Sequence, residues 1–119
     1  QIKKGLSGTR ELIKCFKNNI SVALMIDQRV SQGIKSNFFG QAALTTTIPA
    51  QFVKKYNCTI VPVYIERKNN INFKITIHKP LEYKKDDTIE NITLKLNILL
   101  EKMIRENPDQ WIWSHNRWK

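Results

Sequence analysis

Ser21-Val22-Ala23-Leu24-Met25-Ile26-Asp27 is the stretch on which the fold turns. Five apolar residues, Val22 to Ile26, follow one another without alternation, bounded by Asn18-Asn19 before and Asp27 after. A strand wet on one face alternates apolar with polar residues, whereas an unbroken run fits a strand covered on both faces, as in parallel or mixed sheets flanked by helices. The run predicts a buried central strand. It is far shorter than the roughly 18 residues that a bilayer crossing requires. Asp27 follows directly, and in open α/β sheets ligands and catalytic groups collect beyond the carboxyl ends of the strands. Asp at a strand end also makes turns and caps helices, so position alone leaves both roles open.

On the amino-terminal side, Thr9 can cap a helix running to about Asn18, with Leu12, Ile13 and Phe16 on one side. The first residues, Gln1-Ile2-Lys3-Lys4-Gly5, are basic and turn-like. On the other side, Asp27 to Gly40 is rich in Gln, Arg, Ser, Gly, Lys and Asn and closes on Phe38-Phe39-Gly40. It reads as a long loop, and such loops in compact domains are usually functional. Arg29 and Lys35 within it offer charge for a phosphate. Thr45-Thr46-Thr47 with Pro49 begins a helix that buries Phe52, Val53 and Tyr56 and stops near Asn57, because Pro is tolerated only in a first turn.

Thr59 to Ile65 predicts a second strand, at an edge or bulge because Pro62 cannot donate to a ladder. After a polar turn at Glu66-Arg67-Lys68-Asn69-Asn70, Ile71, Phe73, Ile75 and Ile77 alternate with Asn72, Lys74, Thr76 and His78. That is a strand with one buried and one solvated face. Asp87 with Glu90 resembles a capping box for a helix to about Glu106. Ile89, Ile92, Leu96, Leu99, Leu100, Met103 and Ile104 form its core stripe. Leu94 and Ile98 fall on the opposite side, as tolerated surface residues or beneath a second covering surface. Pro108 ends the helix, and the tail Pro108 to Lys119 holds all three tryptophans.

Composition narrows the classes. At 119 residues the chain suits one domain with a hydrophobic core. Hydrophobic residues at 41% and charged residues at 25% exclude wholesale disorder and collagen-like repeats. Twenty Lys+Arg against ten Asp+Glu leave a net charge of +10, which favours an anionic partner: nucleic acid, lipid headgroups or an acidic protein. Cys15 and Cys58 form no C-x-x-C pair and read as reduced thiols, and no metal-ligand cluster, Gly-rich phosphate loop or cofactor motif is present. His78 and His115 are the only histidines. Glu82 lies four residues beyond His78, a weak basis for a catalytic dyad. The basic residues are spread along the chain and match no nucleic-acid-binding pattern, which leaves a basic nucleic-acid-binding domain as the lesser reading.

Several of these segments together resemble a known family. Pro108-Asp109-Gln110-Trp111-Ile112-Trp113-Ser114-His115-Asn116-Arg117-Trp118-Lys119 is similar to the ending P-[DE]-Q-[WY]-x-W-x-H-x-R-[WF]-K of the bacterial lipid A biosynthesis acyltransferases, the lauroyl and myristoyl transferases. The apolar strand with Asp27-Gln28, the polar loop, Phe38-Phe39-Gly40, the Thr-rich helix start and Ile60-Val61-Pro62-Val63 follow the family's order, so the resemblance covers nearly the whole chain.

The resemblance implies an α/β fold with a mixed sheet flanked by helices, glycerolipid-acyltransferase-like and without its N-terminal part. It implies an enzyme at the cytoplasmic face of a Gram-negative inner membrane, without cofactor or metal, that moves a fatty acyl chain from acyl carrier protein to a hydroxyl of a lipid A precursor. Acyl carrier protein, the precursor and the membrane surface are the implied partners. An acyltransferase acting on another glycolipid or a phospholipid is the alternative within the same chemistry. The family's base is a His with a carboxylate five residues on, to deprotonate the attacking hydroxyl. Here the fifth residue after His78 is Tyr83, and His115 has only four residues after it. Residues 1–119 therefore read as the carboxyl-terminal portion of a longer protein, inactive alone. Asp27 matches an acidic residue on which the family's activity depends. Gln28, Arg29, Phe38, Phe39, Gly40, His115 and Arg117 are the implied substrate-binding positions, Gln28, Phe38, Phe39 and Gly40 as pocket-shaping residues, with packing an equal alternative for His115 and Arg117.

Overall fold

The computed structural model describes residues 6–119, so the basic segment at residues 1–5 lies outside it. The described chain is mixed α/β: α1 (Leu6–Lys17), β1 (Ile34–Phe38), β2 (Gln41–Thr45), α2 (Ile48–Tyr56), β3 (Val63–Lys68), β4 (Asn72–Ile77) and α3 (Ile89–Glu106), followed by a 3-10 turn at Pro108–Gln110.

α3 is the spine. Thr88 caps it, its side-chain oxygen accepting from the Asn91 N–H at 3.1 Å, one residue later than the expected Asp87. Asp87 instead accepts from the Lys84 N–H at 2.9 Å and pairs with Lys95 at 2.6 Å, tying the preceding loop to the helix. The apolar stripe is used from both ends. Ile92 and Leu96 pack with Ala50, Ile26, Ile60 and Leu81 against α2, while Ile104 packs with Phe38 and Ala43 of the first hairpin, beneath Leu100, Trp111 and Trp118. Leu94 and Ile98 are exposed.

α2 begins as the Thr-Pro pattern predicts, with Pro49 in its first turn, and stops at Asn57, whose left-handed φ of 49° lets its N–H reach the Val53 carbonyl. α1 starts at Leu6, so Thr9 lies within it rather than capping it. It docks on α2 through Phe16, whose ring lies 4.7 Å from Phe52 and 6.0 Å from Tyr56.

Three expectations are corrected. The first concerns the sheet. In place of one mixed sheet, the described residues form two separate antiparallel pairs, β1–β2 and β3–β4. The run Ser21–Ile26 joins neither. It is extended without a strand partner among the described residues, Leu24 and Met25 are exposed, and Ile26 turns into the core. An apolar run specifies burial, but a strand also needs a neighbour to take its backbone N–H and C=O groups.

The second correction is the presumed loop, whose later part is β1, paired with β2 just beyond it, so that Thr45 ends a strand rather than starting the helix. Phe38 pairs with Gln41 across a two-residue turn in which Phe39 (φ 51°) and Gly40 (φ 79°) are both left-handed. That geometry matches the twist of the flanking strands. Gly suits it, whereas Phe39 adopts it at a cost. The turn is held from outside: Glu101 accepts from the Phe39 N–H at 2.8 Å, and the Arg105 guanidinium lies 4.9 Å from the Phe39 ring.

The third is the face that β3–β4 presents. The strands pair in register from Val63 with Ile77 to Lys68 with Asn72, later than the expected start at Thr59. Pro62 sits just before β3, where its carbonyl accepts from the His78 N–H at 3.0 Å. Val63, Ile65, Phe73, Ile75 and Ile77 share one face and are exposed, Ile77 at 71%. The opposite, polar face meets the end of α3, where Asn107 donates to Tyr64 Oη at 2.8 Å and to Glu66 at 3.0 Å. Buried Glu66 also pairs with Lys68 and Lys74, which holds its carboxyl below the usual carboxylate range. At the strand edge the Gln110 amide takes the place of a neighbouring strand, accepting from the Arg67 N–H at 2.7 Å and donating to the Arg67 carbonyl at 3.1 Å.

Candidate functional site

The residues singled out by sequence converge where the carboxyl-terminal tail crosses the first hairpin. Trp111, Trp113 and Trp118 pack as a cluster rather than as an open stacking surface. Trp111 stands edge-on to Trp113 at 4.6 Å, and both Trp111 and Trp118 lie within 6 Å of Phe38. The Trp118 indole N–H donates to the Phe38 carbonyl at 3.0 Å, and that of Trp113 to the Pro108 carbonyl at 2.6 Å, so the tail is fixed to β1 and folded on itself.

Arg117 lies fully buried inside this wrap. Its Nη1 donates to the Leu44 carbonyl at 2.5 Å, its Nη2 donates to Thr45 Oγ1 at 2.9 Å, and the Phe38 ring lies 5.3 Å from the guanidinium carbon. Burial pushes its pKa down, and the negative charge of Asp27 pulls it back up. Asn97 completes the network from α3, donating to the Asn37 carbonyl at 2.9 Å and to the same Thr45 Oγ1 at 3.2 Å. A buried charge survives in a fold when hydrogen bonds and an opposite charge replace its hydration. The Leu44 carbonyl, the Thr45 hydroxyl, an aromatic face and the charge of Asp27 do so in part here, while Arg117 Nε has no partner among the described residues.

Asp27 is half-buried and Arg29 exposed, in the segment that leads into β1. The Arg29 backbone N–H donates to His115 Nε2 at 3.2 Å, so this segment touches the tail. Gly33, four residues on, is needed for close approach, because a Cβ there would run into the Thr45 carbonyl. The structure thus gathers Asp27, Arg29, Phe38, Phe39, Gly40, His115 and Arg117 around one hairpin. The resemblance implies substrate contact for Arg117, yet its guanidinium is enclosed and committed to β2. His115 spends its Nε2 on Arg29.

Other candidates lie elsewhere. His78 Nε2 is buried without a hydrogen-bond partner among the described residues, so no carboxylate orients it as the His78–Glu82 reading would require. Burial raises the Cys58 thiol, which disfavours the reactive thiolate, and burial with neighbouring Cys58 and Asp87 pushes Tyr83 up to about 12. An open depression of about 390 Å³ is lined by Ile65, Arg67, Phe73, Asp109 and Gln110, with none of the Asp27 segment in its wall.

The model of the bacterial lipid A biosynthesis acyltransferases matches residues 3–119. The chain belongs to this family. No significant match was found among curated proteins. For a lipid A biosynthesis acyltransferase chain, Asp27 is a half-buried carboxylate whose charge is felt at Arg117. The hairpin is also held by groups that sequence reasoning gave no such role: Thr45, Asn97, Glu101 and Arg105. Asn97 carried a readable signal, since a polar residue between Leu96 and Leu100 interrupts an otherwise apolar stripe. Thr45 carried none, being one of three consecutive threonines.

Proposed function

We propose that this chain supplies the Asp27-bearing, carboxyl-terminal part of an acyltransferase that transfers a fatty acyl chain from acyl carrier protein to a hydroxyl of a lipid A precursor. The acceptor oxygen attacks the thioester carbonyl while a base removes its proton. The tetrahedral intermediate then collapses, forming the ester and expelling the carrier thiol, which regains a proton. The base belongs to a His-x4-Asp or His-x4-Glu pair encoded upstream of these residues, in a glycerolipid-acyltransferase-like fold at the cytoplasmic face of the inner membrane. Asp27 orients the acceptor or that His, with Gln28 and, on a hairpin that Phe38 anchors from the core, Phe39 and Gly40 as pocket-shaping residues.

The observation that carries this reading is the family match over residues 3–119, joined to a cluster that places Asp27 beside the tail and the first hairpin. The net charge of +10 suits an acidic carrier protein and anionic lipid, through attraction that weakens with salt. Exposed Leu24, Met25 and the apolar face of β3–β4 suit a surface that further chain covers in the complete protein.

The test is an acyl-transfer assay with acyl-loaded carrier protein and a lipid A precursor, read by mass spectrometry. The protein made from the complete reading frame is expected to add one acyl chain, and residues 1–119 alone none. Transfer only to a phospholipid acceptor moves the assignment to the alternative substrate, and transfer by residues 1–119 alone refutes the placement of the base.

A further inference from the structure

We propose that Arg117 is a positioning residue that holds the Asp27 segment through the tail. This rests on the role proposed for Asp27 above. The preceding Ser21–Ile26 run has no strand partner among the described residues, Ile26 anchors it in the α2–α3 core, and beyond Asp27 the segment meets the tail. A carboxylate that serves chemistry must be held to within about 0.5 Å of its working place.

The tail provides that hold at three positions within four residues. His115 accepts from the Arg29 N–H two residues beyond Asp27. Arg117 grips Leu44 and Thr45 of β2 with two of its nitrogens. Trp118 binds the Phe38 carbonyl of β1. Arg117 is the middle and most buried of the three, and its guanidinium keeps its charge under all ordinary conditions. The buried guanidinium fixes the tail on β2, and His115, two residues earlier, meets the Arg29 N–H, so the Asp27 segment and the hairpin are held to one another, with the charge of Asp27 felt at Arg117. A merely structural arginine would satisfy β2 and be indifferent to Asp27.

A double-mutant cycle separates the two. Urea unfolding of the 119-residue chain is measured for the wild type, Asp27→Asn, Arg117→Gln and the double variant. Positioning predicts that D27N raises the unfolding constant about tenfold in the wild-type background and less than about twofold beside R117Q. Arg117→Lys, which keeps the charge and loses the planar fork, restores part of the D27N effect, and it carries the cycle if R117Q does not fold. In both Arg117 variants the Arg29 amide resonance shifts as the bond to His115 loosens. Additive effects of D27N and R117Q or, where R117Q does not fold, an Arg29 amide unmoved in R117K, overturn the proposal. Neither readout depends on acyl transfer, so this inference can fail while the enzymatic reading stands. Loss of the enzymatic reading would show instead as full transfer activity in D27N.

Discussion

Replacing Phe38 with Ala tests how the hairpin and the tail are joined. Phe38 is fully buried and packs with Ala43, Ile104, Leu100, Trp111 and Trp118, under the Arg117 guanidinium. Phe→Ala in a core costs about 3–5 kcal/mol from lost transfer energy and the cavity left behind. Three aromatic neighbours, Phe39, Trp111 and Trp118, and a cation lose their partner as well, which places this site near the upper end, at about 4.5 kcal/mol. For a chain of this size that is a large share of the whole stability and corresponds to a fall in Tm of roughly 15 °C. Urea unfolding followed by tryptophan fluorescence suits the measurement, since Trp111 and Trp118 report from the site itself. Phe73→Ala is the control: Phe73 lies on the exposed face of β4, and its loss should cost less than about 1 kcal/mol. A cost below about 1.5 kcal/mol for F38A, or equal costs for the two variants, would refute the account of the core.

Three further outcomes follow from the same contacts. Gly33→Ala forces Thr45 away from the segment before β1 and should destabilise the chain by about 1–3 kcal/mol, read as a lower urea midpoint. Asn97→Ala strips the Asn37 carbonyl of its buried donor and should cost about 2 kcal/mol by the same assay, whereas an exposed Asn72→Ala should be nearly silent. Asp87 is held below the usual carboxylate range by Lys95 and the Lys84 N–H, so its contribution is fully present above its unfolded value and fades as pH falls through the folded one. Stability should therefore decline from about pH 4 downward, and Asp87→Asn should flatten that part of the profile in thermal scans.

How much of this was legible from sequence depends on what each element needs. α3 was readable because its stripe and its cap are both local, and the shift from Asp87 to Thr88 is a one-residue difference between neighbouring capping residues. α2 was equally local, with Pro49 at one end and Asn57 at the other. The β1–β2 hairpin escaped because Lys35, Ser36, Asn37 and Gln41 lack strand-forming character. What makes it a hairpin is the pair of left-handed residues at Phe39 and Gly40, held by Glu101 sixty-two positions away. Ser21–Ile26 shows the reverse failure: strong local character without the neighbour that strand pairing requires.

At the site, Asp27 and the tail were singled out by their residues, but the burial of Arg117 was not. The tail motif leaves Arg117 open between packing and ligand binding. Only the fold reveals that β2 supplies its acceptors and Phe38 its covering ring.

The central claim is that Asp27 serves acyl transfer by a member of the lipid A biosynthesis acyltransferases. The most direct measurement is the rate of transfer from acyl carrier protein to a lipid A precursor by the protein of the complete reading frame, with Asp27 and with Asp27→Asn. The account predicts transfer by the former and a loss of at least about a hundredfold in the latter. Unaltered transfer by a folded D27N protein would contradict it.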